Sequence, residues 1–129
     1  MNPKAEELKK RTAAFADAVA KLVRELPNTL EGRRVGAQLF DAGTSVASNY
    51  RAACRTRSHA EFVAKIGLVV EESDECTFWL AFLIRNQIVP ESVARSLLEE
   101  TEELLAIFSA SHRTASGRTS RLRSRPNPQ

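Results

Sequence analysis

The sequence predicts an all-α protein folded as an antiparallel up-down-up-down four-helix bundle. Three observations predict it. Helix breakers are scarce, with five glycines and five prolines in 129 residues. Four stretches carry apolar residues in a repeating 4-3 alternation, which gathers into one stripe only on a helix. The turns between them span a few residues, so consecutive helices must lie side by side and antiparallel. A hydrophobic content of 43% and a charged content of 27% are those of an ordinary globular domain.

The first helix is expected over about residues 3–26. Asn2 stands at its N-cap, Pro3 in its first turn, and Glu6 and Glu7 complement the dipole. Leu8, Thr12, Phe15, Val19, Leu22 and Leu26 form its stripe. After the turn Pro27-Asn28-Thr29, the second helix is expected over 30–55 with Val35, Leu39, Ala42, Val46 and Ala53 inward. Gly36 and Gly43 share one face there, and a close approach by a neighbouring backbone is expected at them. Asn49 falls on the same stripe, as a residue fixing register or as a boundary residue half in water.

The third helix is expected over 59–88. Ser58 and Glu61 form a capping box, in which Glu61 reaches back to the Ser58 amide. Phe62, Ile66, Val69, Ser73, Cys76, Leu80 and Leu83 form its stripe. Phe78, Trp79 and Phe82 exceed what one stripe can bury, which marks either a broad core face within the bundle or a candidate oligomer interface. Glu71, Glu72, Asp74 and Glu75 read as a solvated face or as inter-helix ion pairs, or else Glu72 or Glu75 pairs with an arginine of another subunit. Pro90 opens the fourth helix, expected over 90–111, with Glu99, Glu100, Glu102 and Glu103 exposed.

The bundle thus fills one domain, residues 1–112, followed by a basic tail over 113–129. That tail holds Arg113, Arg118, Arg121, Arg123 and Arg125 with no acid, and is expected to be disordered because it has so little to bury. The chain's net charge of +3 belongs to it, since the rest carries 14 basic against 16 acidic residues. Cys54 and Cys76 are expected as free thiols in a reducing cytoplasm. No N-terminal apolar run follows a basic start and no apolar window is long enough to span a membrane, so the protein is expected to be neither secreted nor membrane-spanning.

Enzymatic chemistry finds no support. A di-iron site in a bundle needs Glu-x-x-His pairs, and positions 56 and 109, three before His59 and His112, are Thr and Ser. Both histidines are expected as solvated residues at helix ends. No phosphate loop or nucleophile constellation occurs, so no cofactor, metal or catalytic residue is expected. The candidate nucleic-acid residues are Arg33, Arg34, Arg51, Arg55 and Arg57 on the body and the five tail arginines.

The stretch SVASNYRAACRTRSHAEFVAKIGLVVEESDECTFWL, residues 45–80, resembles the four helix bundle proteins related to those encoded in intervening sequences of bacterial 23S rRNA genes. Ser45, Val46 and Asn49 match the family's Ser-Ile-x-x-Asn, Ser58, Glu61 and Phe62 its Ser-x-x-Glu-Phe, and Glu75 its later Glu. Arg51-Ala52-Ala53 and Glu71-Glu72 depart from its Ala-Glu-Gly and Gly-Ser. The resemblance implies a left-handed bundle assembled as a homopentameric ring, without enzymatic activity. More distantly, the accessory variability protein of diversity-generating retroelements is similar in fold, and is a basic pentamer that binds nucleic acid and a reverse transcriptase. Two functions are therefore expected as alternatives. One is an oligomeric scaffold associated with RNA or DNA, and the other a structural or protein-interaction oligomer that binds no nucleic acid.

Overall fold

The computed structural model describes residues 2–124, and the side chains of residues 2–117. Four helices follow in order: α1 (Pro3–Arg24), α2 (Leu30–Ala53), α3 (His59–Arg85) and α4 (Glu91–Ser124), with no strand among the described residues. The starts of α1, α2 and α3 are capped as their residue types dictate. Asn2 Oδ1 accepts from the Lys4 amide at 2.8 Å, Thr29 Oγ1 from the Gly32 amide at 3.0 Å and Ser58 Oγ from the Glu61 amide at 3.1 Å. The capping box is shifted by one residue, because Glu61 Oε2 accepts from the Arg57 amide at 3.1 Å and not from that of Ser58.

α3 ends three residues earlier than expected. Gln87 takes φ 55°, the left-handed conformation that closes a helix. The Gln87 amide then donates to the Ile84 carbonyl at 3.1 Å and the Ile88 amide to the Leu83 carbonyl at 3.0 Å. Glycine is the usual residue at such a position, and its absence hid the stop from the sequence.

Consecutive helices pack along their lengths, whereas α1 meets α4 over the fewest positions. Arg11 clasps that thin seam. Its Nε donates to Glu100 Oε2 at 2.8 Å and its Nη2 to Glu100 Oε1 at 2.7 Å, with Glu103 at 3.2 Å. Glu100 is therefore half-buried and paired, not merely solvated as the acidic run suggested.

The core is the four stripes brought together: Phe15, Val19 and Leu22 of α1, Val35, Leu39 and Val46 of α2, Ile66, Val69, Leu80 and Leu83 of α3, and Leu98, Leu104 and Phe108 of α4. Polar atoms within it bond to their own helix, Thr12 Oγ1 to the Leu8 carbonyl at 2.9 Å and Thr101 Oγ1 to the Leu97 carbonyl at 2.7 Å. Ser73 Oγ is buried with no hydrogen-bond partner among the described residues. An unsatisfied buried hydroxyl costs about 1–3 kcal/mol. Ser73→Ala is thus expected to leave stability unchanged or raise it by about 1 kcal/mol in denaturant melts. A loss of that size would instead reveal a partner for the hydroxyl.

α4 corrects the expected end of helix four at 111 and the expected disorder from residue 113. It continues to Ser124, while residues 125–129, with Arg125, lie outside the described part. The cause is a seam with α3 made of residue types that no apolar pattern reports. Ala115 is 7% exposed, its carbonyl lies 2.9 Å from His59 Nε2, and the His112 ring sits where a side chain at Gly67 would stand, 3.3 Å from that Cβ position. Both histidines are consequently half-buried in this seam, in contrast to the expected solvated ends.

Candidate functional site

Up-down-up-down order brings the start of α1, the α2–α3 turn and the last turns of α4 to one end of the bundle. The His59–Ala115 contact joins the latter two directly, and a groove lined by Lys9 and Arg51 joins the first two. At this end Arg51, Arg55, Arg57 and Arg113 are all exposed, and none is ion-paired among the described residues. Lys4 and Lys10 are exposed on α1 at the same end. The side chains of Arg118, Arg121 and Arg123, which follow on α4, lie outside the described residues.

Arg33 and Arg34 do not belong to this group. They are exposed at the start of α2, where Arg33 Nη1 donates to Asn28 Oδ1 at 2.9 Å. From there to Arg51 α2 runs for about 27 Å. The described arginines singled out from the sequence therefore form two patches at opposite ends of the bundle.

The motif residues around the α2–α3 turn perform structural tasks. Asn49 is half-buried and its Nδ2 donates to the Ser45 carbonyl of its own helix at 3.0 Å, which makes it a boundary residue and not a cross-helix register pin. Ser58 caps α3, Glu61 holds the Arg57 amide, and Phe62 packs half-buried against the core. Together they fix the turn that displays Arg51, Arg55 and Arg57. No group of three or more His, Cys, Asp and Glu among the described residues could hold a metal ion.

A second surface lies on the outer face of α3. Phe78 is 54% exposed, with ring centroids 4.9 Å from Trp79 and 6.2 Å from Phe82. Trp79 and Phe82 are half-buried and 5.8 Å apart, and the Arg85 guanidinium lies 5.7 Å over the Phe82 ring. One to two helical turns towards the start of α3 come Glu75, then Glu72 and Glu71. Trp79 Nε1 donates to Glu75 Oε1 at 3.3 Å. Burial, then the charges of Glu75, Glu71 and Asp41, push the Glu72 carboxyl above its ordinary 4.5. None of these four carboxylates is paired with a cation among the described residues.

The two thiols are free, Cys54 half-buried and Cys76 buried. Burial first, and the nearby Glu72 and Glu75 second, push the Cys76 thiol up to about 12, so it is an inert core residue. An open groove of 440 Å³ at the opposite end of the bundle, lined by Val23, Leu26, Gly36 and Phe40 beside Arg33 and Asp41, was not signalled by the apolar pattern. Phe40 lies just off the α2 stripe and is 43% exposed.

The family of 23S rRNA-intervening sequence proteins matches the chain over residues 4–110. A protein of unknown function from the S23 ribosomal protein family of Bacteroides thetaiotaomicron, solved by crystallography, superposes on it with a TM-score of 0.75. The two are 25% identical, over 81% of this chain and 96% of that one. No curated protein matches.

Proposed function

Because the chain belongs to the 23S rRNA-intervening sequence protein family, we propose that it acts as a non-enzymatic, oligomeric four-helix-bundle scaffold that binds RNA or DNA. One observation carries the reading: Arg51, Arg55, Arg57 and Arg113, exposed and without ion-pair partners among the described residues, converge on the end of the bundle from which the acid-free last turns of α4 emerge. Phosphate binding by such a patch is driven by release of condensed counterions. No described aromatic is exposed there for bases to stack on, so the contacts fall on the backbone and are independent of sequence. Assembly into a ring, a homopentamer as the resemblance implies, would multiply the patch by the subunit number. Two free thiols suit a reducing cytoplasm, and no helix among the described residues is long and apolar enough to cross a membrane.

The test is binding of RNA and DNA duplexes and single strands across a salt series, with the full chain and with Arg51, Arg55 and Arg57 all changed to Ala. The full chain is expected to bind at low salt, with log affinity falling linearly against log salt. The triple variant is expected to flatten that slope by about two to three. An absence of binding at low salt, or binding with no salt slope, would overturn the nucleic-acid reading and leave the alternative. That alternative is a purely protein-interacting oligomer, favoured by the aromatic face of α3. Sedimentation measures the assembly separately, and a monomer would end the ring.

A further inference from the structure

We infer that the outer face of α3, from Leu68 through Glu71, Glu72 and Glu75 to Phe78, Trp79 and Phe82, receives the arginine-bearing last turns of α4 from a second copy of the chain.

The receiving surface is an unpartnered helix face. Leu68 and Phe78 are 39% and 54% exposed, and they lie on the side of α3 turned away from Ile66, Val69, Cys76 and Leu80. Such a patch marks a contact site when a charged rim accompanies it. Its rim towards the start of α3 is acidic, since Glu71, Glu72 and Glu75 stand together with Asp41 and none of them is ion-paired among the described residues, while Arg85 stands at the other end over Phe82. Glu75, Glu71 and Asp41 each disfavour the charge on Glu72, which a cation brought to this face would relieve.

The chain itself carries the matching element. From Arg113 to Ser124 α4 holds four arginines, no acid and one large apolar residue, Leu122. Ala115 already lies beside His59, the first residue of α3, so the turns that follow extend about 13 Å beyond that helix. A side chain placed at Gly117 would meet nothing within 4 Å.

The extension cannot reach the acidic face of its own copy. Glu71 lies about 18 Å from His59 along α3, in the opposite direction to the one in which α4 leaves, so the face must take the extension of another copy. Guanidinium groups suit both halves of the surface, pairing with the carboxylates and stacking on the rings. Arg85 over Phe82 already shows one ring of the patch used in this way. Because the giving and receiving surfaces differ, every copy can give one extension and receive one.

The inference rests on the oligomer reading above and adds which surfaces meet. Trp79 is the single tryptophan of the chain, so its emission reports occupancy of the face while sedimentation equilibrium reports mass. Full-length protein is expected to associate with a concentration-dependent blue shift of that emission. Glu71→Arg with Glu72→Arg, or Arg118→Glu with Arg121→Glu, is expected to weaken association about tenfold or more. Combining the two pairs, which restores opposite charges in swapped positions, is expected to recover both mass and blue shift. Association that neither pair weakens, or that the combination does not restore, would overturn this contact and leave the oligomer intact. Full-length protein that stays monomeric at every concentration would overturn the oligomer reading, and this contact with it.

Discussion

Phe108→Ala is expected to lower the free energy of unfolding by about 4 kcal/mol. Phe108 is the largest side chain that is fully buried, at 1% exposure. Its ring stands 5.1 Å from that of Tyr50 at 44°, an aromatic pair worth more than its area alone. This pair pins α4 to α2 just beneath the turn carrying Arg51, Arg55 and Arg57. Burial holds the Tyr50 hydroxyl well above its usual pKa, with Cys54 a smaller cause. Truncation at position 108 removes the ring contact and leaves a void in the core that its neighbours can fill only by moving. Phe108→Leu, which keeps most of the volume, is expected to cost about 1.5 kcal/mol. Denaturant unfolding at fixed protein concentration measures both. A cost for Phe108→Ala below about 1 kcal/mol would mean that the layer joining α2 and α4 is not closely packed.

The buried stripes were legible because they depend only on helical period. Ile66, Val69, Ser73, Cys76, Leu80 and Leu83 are all buried, with the spacing by which they stand out in the sequence. The last turns of α4 were not legible, because their anchor is a relation between distant residues. His112 can lie against α3 only since position 67 is Gly, and Ala115 is buried beside a histidine that starts another helix. Gly36 and Gly43 do mark close approaches, though side chains make them. A Cβ at Gly36 would meet Leu26 at 3.2 Å, and one at Gly43 would meet Val19 at 2.9 Å. For the candidate site, exposure of the arginines was readable but their grouping was not drawn. Up-down order alone separates Arg33 and Arg34 from Arg51, Arg55 and Arg57 by nearly the length of α2. The clasp of Arg11 on Glu100 was hidden because a charged pair between two helices leaves no periodic mark.

The approach of backbone to backbone occurs at Gly32, which the stripe passes over, and Gly32→Ala is expected to destabilise the protein by about 3 kcal/mol. A Cβ there would stand 2.1 Å from the Pro27 carbonyl oxygen and 3.1 Å from Thr29 Oγ1. A crowded side chain can rotate aside, whereas this oxygen belongs to the backbone of a residue whose φ is fixed by its ring. Relief requires opening the turn between α1 and α2, which withdraws the Gly32 amide from its 3.0 Å bond to Thr29 Oγ1 and forfeits a cap worth about 1 kcal/mol. Overpacking and lost capping therefore add. Gly117→Ala provides the contrast, since a Cβ there meets nothing within 4 Å and the site lies inside α4. There the gain in helix propensity is expected to stabilise by up to about 1 kcal/mol. Gly43→Ala should fall between the two, because Val19 can yield by a few tenths of an ångström where Pro27 cannot. Thermal or denaturant melts of the three variants should rank Gly32 as most costly, Gly43 next and Gly117 last. Equal melts for the Gly32 and Gly117 variants would show that the turn is loose, and that the α1–α2 pairing does not depend on it.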